Sequence, residues 1–239
     1  KKLKTLGLKP IFSYSELSIM GLIEVLPKIP RIYSLINIVV KDILTIKPDL
    51  IISIDAPDFS FRILKTVKRK SPGLKNLHIV APTVWAWKAY RAKAISFYLD
   101  NLFVLFPFEK KYFTKYKINT TFIGHPLLDG NKSKKIIFKN KRKLISIFPG
   151  SRKNEINSHL DKILSSLINY KNALDFDFVI VAVDKHYDLI NKILLNHNTN
   201  LNIKITLSSK TKYEIFKKSF FAIAVSGTIS LELAINLIP

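Results

Sequence analysis

The run Leu50-Ile51-Ile52-Ser53-Ile54-Asp55-Ala56-Pro57-Asp58-Phe59 decides the fold. An isoleucine-rich stretch of this kind predicts a strand buried on both faces of a parallel sheet. Asp55 closes it, with Pro57 just beyond, so a carboxylate is delivered to the rim where open α/β sheets bind ligands. The same residues also spell an ordinary turn in which Asp58 caps the next helix. The rest of the chain chooses between the two.

Upstream, Ile32, Leu35, Ile36, Val39 and Ile43 step by three or four, the stripe of an amphipathic helix. Downstream, residues 59–70 carry a helical pattern that stops at Ser71-Pro72-Gly73. Strands at 77–80, 102–106 and 121–124 then alternate with helices at 90–99 and 108–116. After a polar, lysine-rich stretch the alternation restarts. Strands are expected at 144–148, 178–183, 203–207 and 220–225, and helices at 156–174 and from Tyr187, Lys212 and Thr228. Alternation of this kind means βαβ units and parallel sheets. Two α/β domains are expected, 1–130 and 143–239, joined by a lysine-rich linker at 131–142. Both read as incomplete, because no glycine-rich strand–loop–helix opens the first sheet and the second ends inside a helix.

Composition narrows the class. The 239 residues are 48% hydrophobic, enough to bury substantial cores, so a disordered chain is excluded. Pro, Lys or Asp interrupts every apolar stretch before it reaches bilayer-spanning length. With no cysteine there is no disulfide, thiolate nucleophile or Cys-ligated zinc, and a cytosolic setting fits. Asn119-Thr120-Thr121 and Asn131-Lys132-Ser133 are then chance glycosylation sequons. The net charge of +22 would attract nucleic acid or an anionic membrane face. Lysine is spread over nearly every surface segment, however, as in a chain drifting toward Lys, Ile and Asn. The lysine-rich linker also lacks the interleaved aromatics of a nucleic-acid site, so no nucleic-acid partner is expected.

Two strand–loop–helix junctions carry anion chemistry. In Phe148-Pro149-Gly150-Ser151-Arg152, Gly150 permits a tight turn, Ser151 can cap the helix and Arg152 stands at its start. A cation there opposes the helix dipole unless an anion lies between, which is what a pyrophosphate supplies. A surface turn with a solvated Arg uses the same residues. In Val225-Ser226-Gly227-Thr228-Ile229-Ser230-Leu231-Glu232, small residues expose backbone donors, Thr228 can cap, and Glu232 can reach paired ribose hydroxyls. An ordinary helix cap reads the same way. Both together suggest a nucleotide diphosphate.

Other features say less. Trp85 and Trp87 follow a strand and can floor a sugar or acyl site, or simply pack. Leu17, Met20, Leu22, Ile23 and Leu26 form an apolar segment that reads as core, or as a patch dipping into lipid beside Lys28 and Arg31. Asp175 and Asp177 flank a strand entry without a third ligand, so no metal is expected there. His78, His159, His186 and His197 show no metal spacing. His125, in Ile123-Gly124-His125-Pro126, sits at a strand end beside the linker.

These segments occur in a familiar order. Met20–Leu26, the Asp55-Ala56-Pro57-Asp58-Phe59 run, Pro82-Thr83-Val84-Trp85-Ala86-Trp87, Leu105-Phe106-Pro107-Phe108-Glu109-Lys110, Phe122-Ile123-Gly124-His125-Pro126, Pro149-Gly150-Ser151-Arg152 with Glu155, and Ser226-Gly227-Thr228 with Glu232 together resemble the lipid-A-disaccharide synthases. The resemblance covers essentially the whole chain. It implies a GT-B architecture, two Rossmann-like domains facing across a cleft, with no metal or other cofactor. It implies an inverting transfer from UDP-2,3-diacylglucosamine to 2,3-diacylglucosamine 1-phosphate, with release of UDP. It further implies a peripheral enzyme on the cytoplasmic face of the inner membrane, with 1–130 facing acceptor and membrane and 143–239 binding UDP-sugar. Asp55 is then the expected base, with Asp58 and His125 as rivals. Arg152, Ser151 and Ser226–Thr228 are expected at the diphosphate and Glu232 at the ribose. Another UDP-sugar enzyme of this architecture, or a non-catalytic remnant of such a gene, is the alternative.

Overall fold

The structure, a computed structural model, describes residues 7, 9–13, 16, 26–128 and 142–239. Leu17, Met20, Leu22 and Ile23 lie outside the described residues, and Leu26 opens a short 3-10 turn, Leu26–Lys28. The 131–142 linker, Arg142 apart, also lies outside them. The chain divides into two compact units, Lys1–His125 and Pro126–Pro239.

The first unit holds helix α1 (Ile29–Ile46), strand β1 (Leu50–Ile54), α2 (Pro57–Lys70), β2 (Lys75–Ile79), α3 (Tyr90–Ile95), β3 (Asn101–Val104), α4 (Lys110–Thr114) and β4 (Asn119–Phe122). Its strands pair in parallel in the order β1-β2-β3-β4. Parallel strands need crossovers, and α2, α3 and α4 provide them. Phe61 and Leu64 of α2 join Leu102, Val104 and Phe113 in one core. Ile36 and Val40 of α1 meet Ile63 and Val67 of α2 in another. Burying one such side chain contributes about 1.5–3 kcal/mol. Asn76 and Asp100 exchange backbone-to-side-chain hydrogen bonds at 3.0 Å and tie the start of β2 to the loop before β3.

One expectation fails. β1 is buried on one face only: Leu50, Ile52 and Ile54 are 45%, 55% and 65% exposed. Among the described residues β1 is the edge of the sheet, and α1 and α2 pack on the opposite face, against Ile51.

The second unit runs β5 (Lys143–Phe148), α5 (Lys153–Ile168), β6 (Phe176–Ala182), α6 (Tyr187–Leu195), β7 (Ile203–Leu207), α7 (Ser208–Lys218), β8 (Ser219–Ala224) and α8 (Thr228–Ile235). Its parallel order is β7-β6-β5-β8. Ile156, Leu160, Leu164 and Leu167 form the buried stripe of α5 and pack with Ile147, Phe178 and Ile180 of the sheet. Several helices stop earlier than their apolar pattern: α5 ends at Ile168 and α3 at Ile95. The chain steps from β5 out through β6 to β7, then returns to lay β8 on the other side of β5. That reversal is a topological switch point, where open α/β sheets leave a crevice beyond their carboxyl ends.

Candidate functional site

Asp55 follows β1 directly and is exposed. Its backbone is left-handed (φ 55°), as is that of Ala56 (φ 45°). Two consecutive non-glycine residues in this region cost roughly 1–2 kcal/mol each. The loop is held there by its hydrogen bonds. Asp55 N–H donates to the Ile79 carbonyl at 3.0 Å, and the Ser60 hydroxyl donates to the Asp55 carbonyl at 2.9 Å. The amides of Phe59 and Ser60 close on Ala56, and Pro57 presets the first turn of α2. These hydrogen bonds, against the backbone strain, fix where Asp55 leaves the sheet.

Behind it, His78 is fully buried, with Nδ1 2.8 Å from the Ser53 hydroxyl and its ring against Phe61. Burial lowers its pKa to about 4, outweighing the opposite pull of the Val80 backbone and, less, of the Asp55 carboxylate. His78 is therefore neutral near pH 7 and cannot donate a charge to the rim. Asp58 is turned to Arg91, with 2.6 Å between Oδ1 and the guanidinium. Glu109 is buried and accepts the amides of Leu105 and Phe106 at 2.9 and 2.8 Å, fixing the loop after β3. Burial pushes its carboxyl above the usual range. His125 packs its ring against Phe106, centroids 5.4 Å apart. The two tryptophans separate in role: Trp85 packs edge-on to Phe108, whereas Trp87 is 67% exposed.

In the second unit, both expected loops line one pocket of about 280 Å³ at the switch point between β5 and β8. Gly150, Ser151 and Arg152 come from one side, and Ser226, Gly227, Thr228 and Glu232 from the other. Two of the capping expectations need correction. Arg152, not Ser151, is the cap residue of α5, and the amides of Ser151 and Arg152 donate to Glu155 Oε2 at 2.9 and 3.2 Å. The Glu155 carboxylate also pairs with the Arg152 guanidinium. The anion needed between cation and helix is thus part of the chain. The third residue of the helix is where a carboxylate reaches back to free amides. These bonds and the Arg152 charge hold Glu155 below the usual carboxylate range despite its desolvation. Gly150 has φ +114°, and an added Cβ would stand 2.7 Å from Glu155.

The start of α8 differs. Gly227, not Thr228, is its cap residue, and no side chain caps it. Among the described residues, no hydrogen bond engages the amides of Ser226, Gly227 and Thr228, and all three residues are exposed. Glu232 is not free either: its Oε2 lies 2.6 Å from Lys212 Nζ. Lys212, on α7, lines the same pocket and was not singled out in the sequence. Its signal there was absent, because one lysine among many carries no spacing to mark it. The pocket therefore offers one open helix start, two cations and two carboxylates, each carboxylate already neutralised. Among the described residues no cluster of His, Asp and Glu could hold a metal ion, and Asp177 instead accepts from Asn202. No helix of the described residues is long and apolar enough to cross a membrane.

The family model "Lipid-A-disaccharide synthetase" matches residues 1–239. The chain belongs to that family. A lipid-A-disaccharide synthase from Rickettsia conorii is 35% identical over 240 residues, covering 97% of this chain and 53% of the relative. One from Rhodospirillum centenum is 31% identical, covering 98% and 60% respectively. The chain thus spans only about half to three-fifths of these relatives' length. Among solved structures it is similar to the S. aureus MnaA–UDP co-structure (TM-score 0.62, 17% identity, 99% of this chain and 66% of that one). It is also similar to a UDP-N-acetylglucosamine 2-epimerase from Listeria monocytogenes described as putative (TM-score 0.57, 13% identity, covering 99% and 65%). At such identities the likeness shows the fold alone: GT-B-type α/β, built here from two parallel-sheet units.

Proposed function

We propose that the protein of which this chain is part transfers a 2,3-diacylglucosamine residue from its UDP conjugate to 2,3-diacylglucosamine 1-phosphate with inversion. The observation that carries this reading, in a member of this family, is one switch-point pocket that joins the open helix start of α8 to two cations, Arg152 and Lys212. The diphosphate lies over the open start of α8, whose amides and helix dipole favour an anion. Arg152 and Lys212 add fixed positive charge beside it. Glu155 and Glu232 keep those cations ordered while the pocket is empty, and Glu232 turns one oxygen to the ribose when it fills.

Asp55 accepts the proton of the acceptor's primary hydroxyl as that oxygen attacks the anomeric carbon. The bond from that carbon to the diphosphate breaks on the opposite face, and UDP carries the electron pair away. UDP is already a good leaving group, so no protein acid is needed. A positioned base is worth about 10²–10⁴-fold. Preorganised charge at the leaving diphosphate usually exceeds that. Ser151 contributes through the loop it shares with Gly150, and His125 borders the acceptor side without acting as base. The enzyme works as a peripheral protein at the cytoplasmic face of the inner membrane. There the segment holding Leu17, Met20, Leu22, Ile23 and Leu26 meets lipid and the +22 charge meets anionic headgroups.

The test pairs two measurements: UDP titration by calorimetry, and product analysis with detergent-dispersed acylated donor and acceptor. UDP affinity should fall about tenfold or more in Arg152→Ala, as expected when a charge-assisted contact to phosphate is lost. Disaccharide 1-phosphate should be the product. Epimerised UDP-sugar as sole product would replace this reading with that of a different GT-B enzyme.

A further inference from the structure

The first unit contains a larger cavity, about 620 Å³, walled by α1, α2 and α3. Arg62, Lys65 and Arg69 of α2, Arg91 of α3 and Lys88 before it all line it, and among the described residues its only lining carboxylate is Asp58. The arginines separate this site from the general lysine surplus. The whole chain has six arginines among 39 basic residues, and three of the six line this one cavity. The other three each face a carboxylate: Arg31 meets Glu16, Arg142 meets Asp177 and Arg152 meets Glu155. Here Arg91 meets Asp58, while Arg62 and Arg69 have no ion pair among the described residues.

Position and preorganisation point the same way. Asp58, Arg62, Lys65 and Arg69 recur at helical spacing, so the cations share one face of α2. Like charges so spaced destabilise a helix, a cost that a bound anion removes. Arg62 is held in place: it donates to the Tyr33 hydroxyl at 2.7 Å, with its guanidinium 5.4 Å from that ring's centroid. Ile36, Phe61 and Ile95, all buried, floor the cavity and focus its field. Tyr98, also lining it, is pushed up to about 12 by burial and stays a neutral hydrogen-bonding group.

We propose that this cavity binds a phosphate monoester borne by a small amphipathic molecule. The Arg62 and Arg69 forks grip the phosphate oxygens, and the tyrosines and apolar floor meet the carbon skeleton beside it. Binding of this class needs no transferase. That the occupant is the phosphorylated acceptor rests on the reading above.

Two probes at fixed ionic strength test it: calorimetric titration with glucosamine 1-phosphate, and co-sedimentation with phosphatidylcholine vesicles containing phosphatidic acid. The double variant Arg62→Ala/Arg69→Ala should weaken binding by about tenfold or more, and Arg62→Lys/Arg69→Lys, which keeps charge but loses the forks, by about threefold. The charge-matched control Lys192→Ala/Lys217→Ala, neither of which lines the cavity, should change it less than about twofold. Loss of glucosamine 1-phosphate binding alone assigns a free sugar phosphate, and loss in the vesicle measurement identifies a lipid-borne one. Equal loss from the control pair, or no loss from either arginine pair, overturns the proposal. UDP affinity, read on the same variants, should not move. If turnover were absent in wild type while the arginine effect persisted, the transferase reading would fall and this site would stand. Lys65→Ala provides the same measurement should the double alanine variant not fold.

Discussion

At the scale of single residues, the left-handed pair Asp55–Ala56 explains why one carboxylate stands at the sheet rim. Ala56→Gly relieves the left-handed strain at Ala56 but loosens the chain, so a stability change within about 1 kcal/mol should accompany a lower turnover. Thermal unfolding and steady-state kinetics on the same sample check both. Gly150→Ala has no such compensation, because the new Cβ meets Glu155 at 2.7 Å in a left-handed backbone. It should lose about 1–3 kcal/mol in chemical denaturation and weaken UDP binding. His78 gives a pH signature. Its pKa is 6.5 when exposed and about 4 in place, so the unfolded chain takes up the proton first. The stability from His78 is full above about pH 6.5 and is lost toward pH 4, at up to about 1.4 kcal/mol per pH unit. Both tryptophans lie in this unit, so fluorescence-detected urea unfolding follows it. The difference in slope between wild type and His78→Asn should appear in that window only.

At the scale of elements, two helix starts face one pocket and solve the same problem differently. The start of α5 is satisfied internally by Glu155, whereas that of α8 is open to an anion. Glu155→Gln should cost about 1–2 kcal/mol at neutral pH, from a charge-assisted cap and its ion pair. Because the folded carboxyl lies below its usual range, the gap between wild type and variant should close as pH falls through the carboxylate range. The alternation of strands and helices was legible in the chain because parallel strands and amphipathic helices write different periods. Both loops after β5 and β8 were legible as helix starts, but each also read as an ordinary turn or cap, and only the sheet order brings them to one pocket. Lys212 was not legible, since α7 reaches the pocket only through sheet order. The α2 arginines were not legible as a site, because their cavity exists only once α1 and α3 pack beside them.

At the scale of the molecule, the two units carry different parts of the proposed chemistry: the diphosphate pocket in the second, and the strand-end carboxylate with the arginine cavity in the first. A ligand that binds one unit stabilises that unit by mass action, about 2.7 kcal/mol at a hundred times its dissociation constant. Hydrogen exchange with saturating UDP should therefore slow most along β5, β8 and the starts of α5 and α8, and least around α2. The most direct test of the account is the single-turnover rate of Asp55→Asn in the full-length protein, with UDP affinity measured on the same sample. The account predicts a rate lower by about 10²–10⁴-fold with UDP affinity unchanged. A rate within about fivefold of wild type, less than a positioned base contributes, would contradict it.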